Sequence, residues 1–424
     1  MKILLINQAF YPDVVSTAQH AAELCTRLRE AGHEVSAISS RRAYDDPRRR
    51  FARDEVWKGI HIHRVSSLGL GKGSKARRAL DFFSFLLNCA AALIRAPKAD
   101  VVIAMTSPPL VAFLASLSAQ LKGAKLVYWV MDLNPDEAIA AGWLDERTAI
   151  ARVLKWMSIH TFRRAAKTIV LDRFMKARVL AKGVDPSTVE TIPPWSHDSQ
   201  LRYDLEGRKA FRRAHGLEGR FVVMYSGNHS PCHPLDTLLQ AARRLEKHNE
   251  IAFCFVGGGS EHARVRNFAG AQGLANVVCL PYQPMDRLSA SLSAADLHAV
   301  VMGDAFVGVV HPCKIYNILM LGIPILYIGP KEGHIPDLAS PQARGEWFFE
   351  AAHGEVEATV NHILSAAAGR RGAAAEQKRI AAGFSAESLL SRFLLTIENL
   401  GRPYDRIAGG SIVPSNDATS APGE

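Results

Sequence analysis

At 424 residues the chain is long enough for two domains of ordinary size, each able to bury its own core. Charged residues make up 22%, and short Val/Ile/Leu runs alternate with amphipathic stretches, the pattern of a soluble α/β protein. The net charge of +10 is uneven: residues 1–200 hold 29 Lys+Arg against 19 Asp+Glu, while residues 201–424 hold 22 of each. The N-terminal half is therefore expected to face something anionic; its basic residues flank apolar segments and no nucleic-acid motif is present, which favours phospholipid headgroups over nucleic acid.

In chain order, MKILLI reads as a buried strand ending in a loop over Asn7 to Asp13, followed by an amphipathic helix and the strand EVSAISS, the opening of a doubly wound domain. The loop lacks GxGxxG, so the usual dinucleotide fingerprint is missing. Arg41 to Arg53 is a basic excursion, and GIHIHRV returns to a strand on which His61 and His63 suit a solvated face or edge better than a metal pair. The next apolar run, Ala79 to Ile94, is 16 residues interrupted by Asp81 and Asn88. It falls short of the roughly 20 residues needed to span a bilayer. Lys72, Lys75, Arg77 and Arg78 before it, with Arg95 and Lys98 after it, suit a helix lying among headgroups; an ordinary helix packed on the sheet is the equal alternative.

A buried strand then leads through Pro108-Pro109 into a helix, and AKLVYWVMD is a further strand ending at Asp132, with Asn134, Asp136 and Glu137 in the loop beyond. Acidic groups at the carboxyl end of a parallel strand sit where such sheets bind ligands. Pro193-Pro194-Trp195 reads as a stiff exit, which bounds a first domain at residues 1–198 and a second at 199–385.

The second domain repeats the scheme: RFVVMYSGNHSPCHP is a strand and a Gly-containing loop before a helix starting near Leu235, and IAFCFVGGG places Gly257, Gly258 and Gly259 in a loop open to close ligand approach. Val309 to Ile325 then reads as a strand end, a Pro-Cys-Lys turn and a short apolar helix closed by Gly322, ahead of the strand ILYIG. A helix start carries unpaired N–H groups and partial positive charge, so Lys314 in its first steps is placed to hold an anion such as diphosphate. The last helix, within 386–404, is expected to cross back to the first domain, and residues 405–424 to be disordered. The six cysteines form no CxxC pair and no secretory signal precedes KILLI, which fits reduced thiols in a cytoplasmic protein. His229, Cys232 and His233 offer three zinc-type ligands within five residues but no fourth at a usual spacing, so the loop is read as polar and ligand-facing, and no metal site is assigned.

Over residues 1 to about 400 the chain resembles the GT-B nucleotide-sugar glycosyltransferases of the retaining, group 1 (family 4) type, and within them the enzymes of bacterial surface-polysaccharide and O-antigen assembly. The resemblance rests on NQAFYPD, WVMDLNPDEAIAAGWL, TIPPW, YSGNH, FVGGG, LPYQP, SAADLH and HPCKIYNILMLGIPIL, in that order. It implies two Rossmann-like domains facing across a cleft, with the nucleotide sugar on the second and the acceptor on the first. It places Gly227, Asn228, His233, Gly257, Gly258, Tyr282, His311, Lys314, Tyr316 and Asn317 on the donor, and Tyr11, Ser16 and Asp136 on the acceptor side. Asp132 and Lys314 become the catalytic pair, the first orienting or deprotonating the acceptor hydroxyl, the second stabilising the departing diphosphate.

Two departures stand out. The family's paired glutamates fall on Val309 and Asn317; Asn317 keeps hydrogen bonding to a hydroxyl, whereas Val309 cannot contact the sugar, and Asp304 is the nearest substitute. The family's Arg and Lys for the diphosphate fall on Asn228 and about His233, which leaves Lys314 as the best cation. The implied activity is transfer from a UDP- or GDP-sugar to a lipid-diphosphate-linked saccharide by a cytoplasmic enzyme peripheral to the inner membrane face, with no cofactor and no motif that requires a divalent ion. A sugar-nucleotide epimerase of the same fold and a non-catalytic scaffold are the alternatives.

Overall fold

The computed structural model describes residues 1–424 apart from 14, 45, 47, 71–74, 197–200, 370–373 and 402–424. The expected disordered tail, the boundary at residue 198 and Lys72 therefore lie outside the described residues, as do the side chains of Lys75 and Arg78.

The first half runs β1 (Lys2–Ile6), α1 (Ser16–Glu30), β2 (Glu34–Ser40), β3 (Asp54–Trp57), β4 (Ile60–Val65), α2 (Lys75–Arg95), β5 (Val101–Ala104), α3 (Val111–Lys122), β6 (Lys125–Trp129), α4 (Asp136–Ala140), α5 (Ala149–Arg164), β7 (Lys167–Val170), α6 (Arg173–Leu180) and β8 (Val189–Thr191). The second runs α7 (Leu205–Ala214), β9 (Phe221–Asn228), α8 (Asp236–Arg244), β10 (Ile251–Gly258), α9 (His262–Ala271), β11 (Val277–Leu280), α10 (Leu288–Ser293), β12 (Leu297–Val301), α11 (Lys314–Leu321), β13 (Ile325–Ile328), α12 (His334–Leu338), β14 (Phe348–Ala351), α13 (Val356–Ala368), α14 (Ala374–Ala382) and α15 (Ala386–Gly401).

The strands form two sheets, ordered β3-β4-β2-β1-β5-β6-β7-β8 and β11-β10-β9-β12-β13-β14. Every pairing is parallel except β3 with β4 at one edge. Parallel strands covered by helices on both faces read as continuous apolar runs, and β5, β12 and β13 are buried at every position. The histidine pair on β4 lies beside the edge strand β3: His61 is exposed, and His63 Nδ1 meets Asp54 Oδ1 at 2.6 Å.

α15 returns to the first sheet. Arg27 pairs with Glu387 at 2.8 Å, Arg392 Nε donates to Glu190 at 2.9 Å, and the Phe393 ring lies 4.8 Å from that of Trp129. By length and composition Ala375–Gly401 is apolar enough to cross a membrane, but Leu389, Phe393 and Ile397 are spent on this packing and are buried. The two chain crossings meet where Ser196 N donates to Phe384 O at 3.0 Å. α2 resolves its own ambiguity in part: Asp81 accepts from Gly69 N and Leu70 N, and Asn88 donates to Ser66 O, so the polar residues that interrupt the apolar run fasten a loop.

Candidate active site

α11 begins at Lys314 and ends on Gly322 in the left-handed conformation (φ 66°), as a helix of eight residues between two buried strands. Lys314 is half-buried, yet its ammonium is closed from solvent and has no hydrogen-bond acceptor among the described residues. It lies 3.7 Å from the centroid of the buried Tyr225 ring. Burial lowers the Lys314 pKa to about 7. Its neighbours do not help to hold the charge, because burial keeps His229, His233 and His298 neutral, at about 4, 3 and 4. An ammonium held in this way lacks an anion. Asn317, one turn on and half-buried, shares its helix face.

The other wall is two glycine loops held side by side by the β9–β10 register, which pairs Gly227 with Gly257 and Asn228 with Gly258. Gly257 has φ 136°, and a Cβ on it would stand 2.0 Å from the Gly227 carbonyl oxygen, so no other residue fits. A Cβ on Gly227 would meet Lys314 Nζ at 3.2 Å, which puts the ammonium directly against this loop. Asn228 is exposed, and the exposed Tyr282 lies along Gly258, its hydroxyl donating to Gly258 O at 3.4 Å. Tyr282 thus presents an aromatic face beside the anion position, a platform for a flat heterocycle.

The zinc-type triplet does not converge. His233 Nδ1–H donates to Val301 O at 2.7 Å, and His229 Nδ1–H donates to Gly227 O at 3.1 Å. His233, expected as a donor-binding counterpart of a cation, is a neutral imidazole turned toward the backbone, and charge compensation falls to Lys314 alone. Two cavities flank the Ser230–Asp236 loop, of about 230 and 460 Å³, and neither is lined by Lys314, Gly257 or Tyr282.

His311 and Tyr316 do not take the direct contacts expected of them. His311 Nδ1–H donates to Asp172 Oδ2 at 2.7 Å, its Nε2 accepts from the Tyr316 hydroxyl at 2.7 Å, and that oxygen accepts from His334 Nε2 at 2.9 Å. Both imidazole nitrogens of His311 are used and Tyr316 is 1% exposed, so the pair forms a relay beneath α11. Burial works against the Asp172 charge, but the His311 hydrogen bond holds its carboxyl below the usual range; burial and His311 hold His334 neutral. Asp172, His311 and His334 also bring three ligand-type atoms within 4.8 Å of one another, with the Tyr316 hydroxyl already joining the two imidazoles. Asp172 and His334 escaped the sequence reading because Asp172 lies 139 residues from His311.

The relay is also a domain contact. Around it Leu133 N donates to Val309 O at 2.8 Å, Arg178 Nε to Val307 O at 2.6 Å, and Arg173 Nη2 to Asp337 at 2.9 Å. Asp132, three residues beyond β6, lies at this seam in an isolated antiparallel bridge with Val310. Burial, then Glu137, raises its pKa to about 8, so the proton stays on at neutral pH. A carboxyl raised to that range is mostly protonated at neutral pH in this closed arrangement and takes up the charged form only as the pH approaches 8. Of the residues expected on the acceptor side, Tyr11 stacks on Trp57 at 4.1 Å and Ser16 opens α1 beside His20. Asp136 is already held by Lys182, whose Nζ lies 2.8 and 2.9 Å from its two oxygens, which makes it a brace of the loop.

Two family models cover this architecture. Residues 17–195 match the glycosyl transferase 4-like domain, and residues 207–379 match glycosyl transferases group 1. The chain belongs to the group 1 glycosyltransferases. This glycosyltransferase is 26% identical over 340 residues to the putative colanic acid biosynthesis glycosyl transferase WcaI of Escherichia coli (strain K12), a match over 76% of this chain and 82% of that protein. It is 22% identical over 385 residues to a GDP-mannose-dependent alpha-mannosyltransferase of Mycolicibacterium smegmatis (strain ATCC 700084 / mc(2)155), over 86% and 89% of the two chains. Its fold is the GT-B fold of Anabaena Alr3699/HepE, solved with UDP and glucose, at a TM-score of 0.71 and 15% identity over 94% of this chain and 99% of that one. Asp304, the acidic residue nearest to Val309 in the sequence, is exposed and lies 3.9 Å from His353.

Proposed function

We propose that this glycosyltransferase moves a sugar from a UDP- or GDP-sugar to a lipid-diphosphate-linked saccharide, with retention of configuration, in bacterial surface-polysaccharide assembly. The observation that carries the donor half is the Lys314 ammonium, buried without an acceptor at the start of α11 and against the Gly227 loop. A diphosphate supplies the missing acceptor, α11 adds its dipole, and the same contacts strengthen as charge builds on the leaving group. Tyr282 takes the base and Asn317 a ribose hydroxyl. Retention fits a site where Asp132 keeps its proton and the acceptor hydroxyl enters on the face that the diphosphate leaves. No metal or other cofactor enters this reading.

The polysaccharide half draws on the relative named for colanic acid biosynthesis, and the choice of base on relatives whose names carry GDP-mannose and UDP. The inner membrane face is assigned from the basic N-terminal half together with large apolar side chains exposed on its helices, among them Phe83, Leu87 and Ile94 on α2 and Ile150, Val153 and Trp156 on α5. Calorimetry of UDP and GDP with wild type and Lys314→Ala tests the donor half. One nucleotide binds wild type and is lost in the variant; binding of neither removes the reading and leaves a non-catalytic scaffold. Retention on vesicles that contain phosphatidylglycerol, absent on neutral vesicles, tests the membrane half.

A further inference from the structure

The rim of the first sheet carries charge that the donor site does not use. Between Arg41 and Arg53 there are six basic against two acidic residues, and Arg48, Arg50 and Arg53 are exposed, Arg48 with Asp46 at 2.9 Å beside it. This excursion is built into the acceptor side. Asp13 Oδ2 accepts from Tyr44 N at 2.7 Å, and the buried Arg64 donates to Tyr11 O at 2.8 Å and to Ala52 O at 3.0 Å. Tyr11 stacks on Trp57, over which Lys58 Nζ stands at 5.1 Å. The cations and the loop that carries Tyr11 are one folded unit.

The same excursion reaches an apolar surface. Arg42 donates to Ser67 O and Leu68 O, both at 3.2 Å, and that loop is fastened to α2 where Ser84 Oγ accepts from Leu68 N at 3.0 Å and Asp81 accepts from Leu70 N at 3.1 Å. Leu68 is 56% exposed, and Leu80, Phe83 and Leu87, spaced three and four residues apart along one face of α2, are exposed by 51%, 59% and 56%. Dense positive charge thus adjoins unpartnered hydrocarbon, at the edge of the sheet where β1, β2 and β4 end.

We infer that this rim binds the anionic end of the acceptor: a diphosphate esterified to a long hydrocarbon chain, with the arginines on the diphosphate and Leu68, Phe83 and Leu87 on the first part of the chain. Arginine forks match phosphate oxygens, and the apolar strip takes the carbons that water rejects. A bilayer asks for cations around the whole apolar patch, and Arg95 and Lys98 at the far end of α2 are placed for that. The denser group stands beside Tyr11, where one diphosphate would hold its saccharide toward the cleft. The inference rests on the lipid-linked acceptor proposed above.

The test is calorimetric titration of farnesyl diphosphate, with farnesol and inorganic diphosphate as separate arms, into the full chain. The variants are Arg48→Ala/Arg50→Ala/Arg53→Ala, Phe83→Ser/Leu87→Ser and Lys314→Ala. Farnesyl diphosphate binds wild type at least about tenfold tighter than either fragment, the first two variants each lose about tenfold, and Lys314→Ala binds as wild type does. Loss in Lys314→Ala overturns the site in favour of the donor pocket, and an unchanged arginine variant overturns it outright. An equal loss on phosphatidylglycerol vesicles replaces it with a general anionic membrane surface. UDP and GDP titrated into the same preparations separate the two readings: with no nucleotide bound but the prenyl result as stated, the donor reading falls and this site stands.

Discussion

Replacing Lys314 by methionine is expected to stabilise the protein while it destroys donor binding. Methionine has a similar unbranched reach and no charge to desolvate. The Lys314 pKa falls from 10.5 to about 7, which corresponds to at most about 5 kcal/mol between the two protonation states. Contact with the Tyr225 ring at 3.7 Å returns about 1–2 kcal/mol to the charged form. Roughly 3 kcal/mol remains, about 5–10 °C in the melting midpoint of a domain this size. The sign follows from linkage: a lysine whose folded pKa is lowered binds fewer protons folded than unfolded between pH 7 and 10.5, so wild-type stability rises with pH through that window. The gap between variant and wild type is therefore full below pH 7 and closes toward pH 10. Thermal melts at pH 6 and pH 9.5, paired with UDP and GDP titrations, measure both halves. A variant that melts below wild type at pH 6, or a gap that ignores pH, refutes the claim that the ammonium is held without an anion.

Three further outcomes follow from the same geometry. Donor affinity is flat below pH 7 and weakens about tenfold per unit above it, until the bound complex reaches its own pKa, because the anion selects protonated Lys314; titrations from pH 6 to 9 check this. Gly257→Ala drives a methyl into the Gly227 carbonyl and lowers stability by about 2–4 kcal/mol with loss of nucleotide binding, while Gly270→Ala in α9, with nothing within 4 Å, stabilises by up to about 1 kcal/mol in chemical denaturation. Asp172→Ala strands the His311 Nδ1–H and uncaps Met175 N, for about 2–4 kcal/mol, whereas Arg173→Ala breaks an exposed pair with Asp337 for under about 1 kcal/mol; equal melts for the two would remove the relay from the account.

The alternation of short apolar runs with amphipathic stretches made both doubly wound sheets legible, and Gly322 with Lys314 marked both ends of α11 before any coordinate. What escaped depends on partners far apart in the chain. The Asp172–His311–Tyr316–His334 relay joins four elements, and no local spacing announces it. The protonation of Asp132 depends on burial at a seam between domains, which a loop sequence does not reveal. α7 did carry a local signal. Asp204 caps it at Gly207 N, and Arg208 and Arg212, four residues apart, both reach the buried Asp296 carboxylate. From sequence alone that basic, polar stretch is assigned no element.

The valine at 309 is explained by the same seam. Val309 is 1% exposed, and its carbonyl accepts the Leu133 N–H next to Asp132, whose carboxyl already keeps its proton because of burial and Glu137. A glutamate there would bury a further carboxyl at a seam where burial already raises the Asp132 pKa to about 8. Restoring the family residue by Val309→Glu is therefore expected to lower stability by about 3–5 kcal/mol without raising turnover. The loss should deepen as pH rises from 5 to 8: a carboxyl with a raised folded pKa binds more protons folded than unfolded across that range. Melts of Val309→Glu and of the isosteric control Val309→Thr over pH 5–8 test it. A glutamate variant as stable as wild type, with faster sugar transfer, would show that the seam opens in solution and that the closed contacts around Asp132 do not govern the chemistry.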